Sequence, residues 1–174
     1  MGRIRFSAAV SLDGFIAGPN GEADWIVPDP EMDFAELATQ FDTLLVGRRT
    51  FEAMARAKRT TMPGMRTVVV STTLKQGDHP EITLITDAVE DAVRALREGT
   101  RKDVWLFGGA QLFGRLLAAG LVDGVQVAIE PVLLGSGVPL VPATPHRRSL
   151  RLTGHRVSKV GVVYLEYAVV ELAA

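Results

Sequence analysis

The chain has 174 residues, with 19 Lys and Arg against 20 Asp and Glu, no cysteine, 47% apolar and 22% charged residues. That composition fits one folded domain over residues 1–174 and excludes disordered, collagen-like and coiled-coil classes. A net charge of −1 leaves no global field for nucleic acid or an anionic membrane, and the missing cysteines exclude disulfides, thiolate metal sites and thiol nucleophiles, which fits a cytoplasmic location.

Residues 1–6 interleave charge with apolar side chains, so residues 3–11 read as a strand and not as the apolar core of a signal peptide. Further Val-, Ile- and aromatic-rich runs predict strands at 43–46, 67–71, 82–85, 104–107, 125–130, 150–157 and 162–170. Between them, Val89, Ala92, Val93 and Leu96 recur at i, i+3, i+4 and i+7, the stripe of a helix lying on a sheet. Weaker helical patterns cover 32–41, 51–58 and 111–119. Alternation of strand and helix demands crossovers and a mostly parallel sheet, whereas the last third is strand after strand, with 157–161 as the turn of an antiparallel hairpin. The longest apolar stretch, 116–122, falls far short of the roughly 20 residues that span a bilayer. His79, His146 and His155 lie in polar turn contexts without ligand spacing, so no metal is expected.

Four segments could carry chemistry. Residues Phe107-Gly108-Gly109-Ala110-Gln111-Leu112 run from a strand through two glycines into a helix, whose open N–H groups suit a pyrophosphate; the same glycines also suit a plain tight turn. In Gly47-Arg48-Arg49-Thr50 a strand again ends in glycine, and two guanidiniums follow at a helix start, a setting for a phosphomonoester or for solvated arginines beside an N-cap. Ser71-Thr72-Thr73-Leu74-Lys75 places hydroxyls and an amine at a third strand end. Together these imply a ligand with several phosphates, such as a dinucleotide. The first strand has small residues, Ser7-Ala8-Ala9, that let a flat ring approach, and releases into a glycine-rich loop through Ile16 to Asp24 and Trp25 that can act as a lid.

Ser11-Leu12-Asp13-Gly14-Phe15-Ile16-Ala17, Gly47-Arg48-Arg49-Thr50-Phe51-Glu52, Val70-Ser71-Thr72 and Phe107-Gly108-Gly109-Ala110-Gln111-Leu112 stand in the order and spacing of the dihydrofolate reductase superfamily. The chain most resembles its bacterial branch, the riboflavin-biosynthesis reductase (RibD C-terminal) domain, over nearly its whole length. The resemblance implies an α/β fold of three layers, αβα, with a mostly parallel central sheet and a C-terminal antiparallel hairpin. It also implies NADPH as cofactor. Ala9 and Ile16 match positions whose backbone holds the nicotinamide carboxamide, and Trp25 matches a cofactor-contacting tryptophan. Gly47, Arg48, Arg49 and Thr50 match a phosphate loop, Ser71 and Thr72 the site of the adenosine 2′-phosphate, and Gly108, Gly109, Ala110, Gln111 and Leu112 the pyrophosphate turn.

Two departures bear on substrate. Phe107 stands where riboflavin reductases carry a glutamate, and Gly47-Arg48-Arg49-Thr50-Phe51 replaces their acidic, proline-containing segment with one closer to dihydrofolate reductase. Asp33 falls near the early-helix carboxylate that serves the pterin in dihydrofolate reductases, with Glu31 in its place if the register slips by two. Asp33, Asp24 or a water they hold is the expected proton source. The expected activity is hydride transfer to a pterin-type or ribosylamino-pyrimidine substrate, as in 5-amino-6-(5-phosphoribosylamino)uracil reductase; the alternatives are dihydrofolate reduction, a nucleotide-binding module without catalysis and a plain interaction domain. Val162, Val163, Tyr164, Leu165, Tyr167, Val169 and Val170 leave no polar face on the last hairpin, which predicts a two-fold homodimer that buries it.

Overall fold

The computed structural model describes residues 1–31, 33, 36, 39–142 and 147–170. Its strands are β1 (Ile4–Ser11), β2 (Phe15–Ala17), β3 (Phe41–Gly47), β4 (Arg66–Val70), β5 (Thr83–Ile85), β6 (Asp103–Gly108), β7 (Gly124–Glu130), β8 (Val138–Pro139), β9 (Ser149–Val157) and β10 (Val163–Val170). Helices described in full are α1 (Arg48–Arg56), α2 (Val89–Glu98) and α3 (Ala110–Ala118), and Glu36, Thr39 and Gln40 are also helical. An eight-stranded sheet runs β5-β4-β3-β6-β1-β7-β10-β9, parallel from β5 to β7 and antiparallel at β10 and β9, while β2 pairs β8 apart from it.

Helices cover the two faces unequally, and that positions the site. Ile4 and Phe6 of β1, Leu45, Leu106 and Val125 face α2 and α3, which contribute Val89, Val93, Phe113 and Leu116 to one core. Phe6 and Phe113 stack at 3.8 Å between ring centroids. Successive strand residues point to opposite faces, so Ser7 and Ala9 look the other way. On that side α1 covers only β3, β4 and β6, packing Phe51 and Met54 on Leu44, Val46, Val69 and Trp105. The rest of that face, across β1, β7 and β10, forms the floor of a cleft.

β3, β4 and β6, which read as apolar runs, are buried along most of their length, as a covered parallel sheet requires. One expected helix ends a residue earlier than the spacing predicts: of residues 32–41, Glu36, Thr39 and Gln40 are helical. Of residues 32–41, Met32, Phe34, Ala35, Leu37 and Ala38 lie outside the described residues, and Phe41 is the first residue of β3, fully buried beneath the Arg5 guanidinium at 4.2 Å. Its apolar side chain continues the helical spacing by coincidence, because a strand core wants the same residue. No helix among the described residues is long and apolar enough to cross a membrane.

Candidate functional site

A cleft of about 2000 Å³ follows the carboxyl edge of the parallel strands and opens over the face of β1, β7 and β10 that α1 leaves uncovered. Single small-ligand sites occupy ~300–1,000 Å³, so this one has room for two ligands side by side. Its position outside the carboxyl ends of the strands is where open α/β sheets bind ligands.

Two strand–glycine–helix units meet in its wall. β3 and β6 are neighbours, with Val46 opposite Gly108, so the turns that leave them lie together. α1 begins after Gly47 and α3 after Gly109, neither capped by a side chain. The first N–H groups of each helix have no intrahelical acceptor, and the positive ends of both dipoles point at the same space. Gly108 has φ of +142°, which an L side chain rarely adopts, and an added Cβ would come within 3.2 Å of Thr50 Oγ1. Thr50 Oγ1 accepts the Gly109 N–H at 3.1 Å, tying one turn to the other. Arg48 and Arg49 stand on the rim, Arg48 held to Glu52 at 3.3 Å one helical turn on. Two uncapped helix starts and two guanidiniums thus border one space.

Most of the residues singled out from sequence lie on this cleft. Ala9, Ile16, Asp33, Gly47, Arg48, Arg49, Thr50 and Gly108 to Leu112 line it. Among the described residues, Asp24, Trp25, Ser71 and Thr72 do not. Trp25 turns its indole N–H to the Glu22 carbonyl at 3.0 Å, closing its own loop. Ser71 is 6% exposed, and its hydroxyl accepts the N–H groups of Thr73 (3.2 Å) and Leu74 (3.1 Å), so it is already committed to the turn after β4. Val70, the residue before it, does reach the cleft.

The inner wall holds a cluster that sequence reasoning missed. Asp29, whose side chain is 2% exposed, accepts from Tyr164 Oη at 2.8 Å and from Arg156 Nη2 at 2.9 Å. Arg156 also lies over the Tyr164 ring at 4.1 Å. Asp29 Oδ1 accepts the Glu31 N–H, and that bond, ahead of the Arg156 contact, pulls its pKa below the usual aspartate range. Burial, helped by the Asp29 carboxylate, pushes the Tyr164 phenol up to about 12. Beside them Glu130, 2% exposed at the end of β7, takes the Val27 N–H on Oε2 at 3.1 Å. Burial pushes its carboxyl above the usual range, opposed by that N–H bond and assisted by the charge of Asp29. The Pro28-Asp29-Pro30 segment is visible in the sequence, but its partners lie 127 and 135 residues away.

Asp13 explains the motif after β1. It accepts from Ser11 Oγ (2.6 Å) and from the N–H groups of Leu134 (3.1 Å) and Gly135 (2.7 Å), clamping the loop to the segment before β8. The Ser11 bond is the main reason its pKa falls to about 2, burial opposing and the two amides adding. With a depressed folded-state pKa, the clamp's contribution is complete above the unfolded aspartate value near ~3.9 and is lost as pH falls from there through the folded value of about 2. Asp13→Asn should therefore melt below wild type at pH 6, with the gap closing as pH approaches about 2. A gap that ignores pH would show that charge does not hold this loop.

Among the described residues no three His, Asp or Glu side chains are placed to hold a metal ion. Comparison with known proteins fits this architecture. YyaP of Bacillus subtilis is 36% identical over 177 residues, covering 95% of this chain and 94% of its own. A crystal structure from Shewanella sp. PV-4, named for riboflavin biosynthesis, is 27% identical and superposes with a TM-score of 0.83 over 98% of this chain and 100% of its own. The dihydrofolate reductase of Enterococcus faecalis, solved with NADP(H), shares the fold at 17% identity and a TM-score of 0.73, with 97% of each chain covered. The model of the RibD C-terminal domain matches residues 3–164, and the chain belongs to that family.

Proposed function

We propose that the protein is an NADPH-dependent reductase of a planar heterocycle or its sugar imine. The observation that carries this reading is the pair of glycine-capped helix starts, α1 and α3, aimed into one cleft with Arg48 and Arg49 at its mouth. Backbone N–H groups at 110–112 would hold the pyrophosphate, and Arg48 and Arg49 the phosphomonoester, with Thr72 exposed nearby at the end of β4. Bound there, NADPH supplies a hydride. The chain orients the two reactants: Ala9 and Ile16 offer backbone to a ring at the end of β1, and the face that α1 leaves uncovered, with Gln126, Phe107 and Tyr164, receives the substrate. Calorimetry should show NADPH binding at least about tenfold tighter than NADH, roughly 1.4 kcal/mol; equal affinities refute the phosphate assignment.

A ribosylamino-pyrimidine or pterin-type substrate fits the family. Dihydrofolate is the second candidate, favoured by Asp33 on the cleft wall together with the Gly47-Arg48-Arg49-Thr50 segment. A panel of both classes read by loss of absorbance at about 340 nm, the reduced nicotinamide band, decides between them, and NADPH binding without turnover on any would favour a non-catalytic module.

The homodimer is part of the same reading. Edge strand β9 exposes Leu150 at 44% and Leu152 at 49%, an apolar edge of the kind proteins cover. Leu165 packs against the main core, so charge there would unfold the protomer, and Leu152 is the cleaner probe. Light scattering should give a dimer at micromolar concentration and a folded monomer for Leu152→Asp.

A further inference from the structure

In the inner wall of the cleft two carboxylates sit in opposite electrostatic situations. Asp29 has a guanidinium, a phenol and a backbone N–H. Glu130 is as deeply buried, yet its carboxyl takes only the Val27 N–H, and among the described residues no cation pairs with it. Burial without a cation favours the protonated form of a carboxyl, which carries an O–H that it can give away. Asp29, from the loop above, acts on it electrostatically, while Arg156 on β9 and Tyr164 on β10 line the same cleft, and the positive charge of Arg156 is shared between Asp29 and Glu31. On β1 its neighbour in register is Ser11, whose hydroxyl is turned to Asp13. Paired titratable groups whose surroundings drive them apart mark an acid and a fixed anion. Glu130 lies at the end of β7, two positions in register from Ala9, at the end of the cleft where the proposed ring would lie.

We propose that the Glu130 carboxyl is the proton donor of the reduction and that Asp29 is the positioning residue that holds its environment. This rests on the reductase reading above. The electrophilic carbon of a C=N bond gains a hydride with its electron pair from the dihydronicotinamide, which is left oxidised. The π pair moves to nitrogen and forms an N–H bond with the Glu130 proton, and the O–H pair stays on the carboxylate, which water reprotonates after product leaves. Asp33 and Asp24, the acids expected from sequence, lie in more open surroundings, both exposed.

The test has an arm that needs no turnover. Carbon-13 NMR of the ligand-free protein should show Glu130 titrating above the ordinary glutamate value near ~4.3, and Asp29→Asn should lower that midpoint by removing the adjacent negative charge. Because the folded-state value is raised, wild-type stability should fall as pH rises through it, and Glu130→Gln should lose that fall while keeping the Val27 contact. With the panel substrate turned over fastest, single-turnover reduction by Glu130→Gln should slow by about 100-fold or more, with NADPH affinity within twofold of wild type by calorimetry. A Glu130 midpoint at or below the ordinary value overturns the proposal whatever the rates, as does a Glu130→Gln variant with the wild-type rate and pH profile. A wild-type protein that fails to bind NADPH overturns instead the reductase reading on which the chemistry rests.

Discussion

Replacing Gly47 by Val is expected to weaken NADPH binding by about 100-fold or more, roughly 2.7 kcal/mol, while shifting the melting temperature by only a few degrees. Gly47 has φ −82° and ψ 162°, extended backbone open to any residue. A Cβ there would meet nothing closer than Leu112 Cβ at 3.8 Å and the Gly108 carbonyl at 3.9 Å, ordinary contacts that the fold accommodates. The branched side chain would stand between the starts of α1 and α3, in the space assigned to the pyrophosphate. Lost charge-assisted bonds to N–H groups are worth ~1.5–3 kcal/mol each, so displacing the anion from even one helix start reaches the stated size. Gly109→Val should act in the same direction. Calorimetric titration with NADPH alongside thermal melting checks both quantities, and normal binding by a folded Gly47→Val protein would remove the proposed anion cradle from the account.

The largest effect on stability is expected at Phe113. The residue is 1% exposed and stacks on Phe6, itself fully buried, at 3.8 Å with planes 9° apart. It follows the glycine turn by one helical turn and fastens α3 to the sheet, so the geometry of the proposed anion cradle depends on it. Phe→Ala in such a core costs ~3–5 kcal/mol from lost burial and the cavity left behind, a large share of the ~5–15 kcal/mol that holds a domain folded. Urea unfolding monitored by circular dichroism should show that loss, and Phe113→Leu should recover more than half of it. A loss under ~1 kcal/mol would mean the site relaxes around the missing ring.

What was legible in the sequence was local. β3, β4 and β6 read as strands because burial on both faces leaves an apolar run, and each strand–glycine–helix unit fits within a dozen residues. The order of strands in the sheet has no such signature, nor do β2 and β8, three and two residues long. Phe41 shows why the end of a helix is hard to place: an apolar residue in phase with a preceding stripe serves a strand core equally well. Within the site, Gly47, Arg48 and Gly108 were found because the chemistry lies in neighbouring residues. Asp29, Tyr164 and Arg156 were not, since hydrogen bonds joining residues more than a hundred positions apart leave no trace in local pattern. Trp25 and Ser71 carry the residue types that the resemblance requires, but the Glu22 carbonyl and the amides of Thr73 and Leu74 engage their polar atoms locally.

A crystal structure of the protein with NADPH tests the central claim most directly. The account predicts one extended dinucleotide per protomer along the carboxyl edge of the sheet, its diphosphate within hydrogen-bond distance of the N–H groups of Ala110 to Leu112 and its 2′-phosphate against Arg48 or Arg49. A diphosphate bound elsewhere, or a cleft that stays empty at millimolar NADPH, would contradict it.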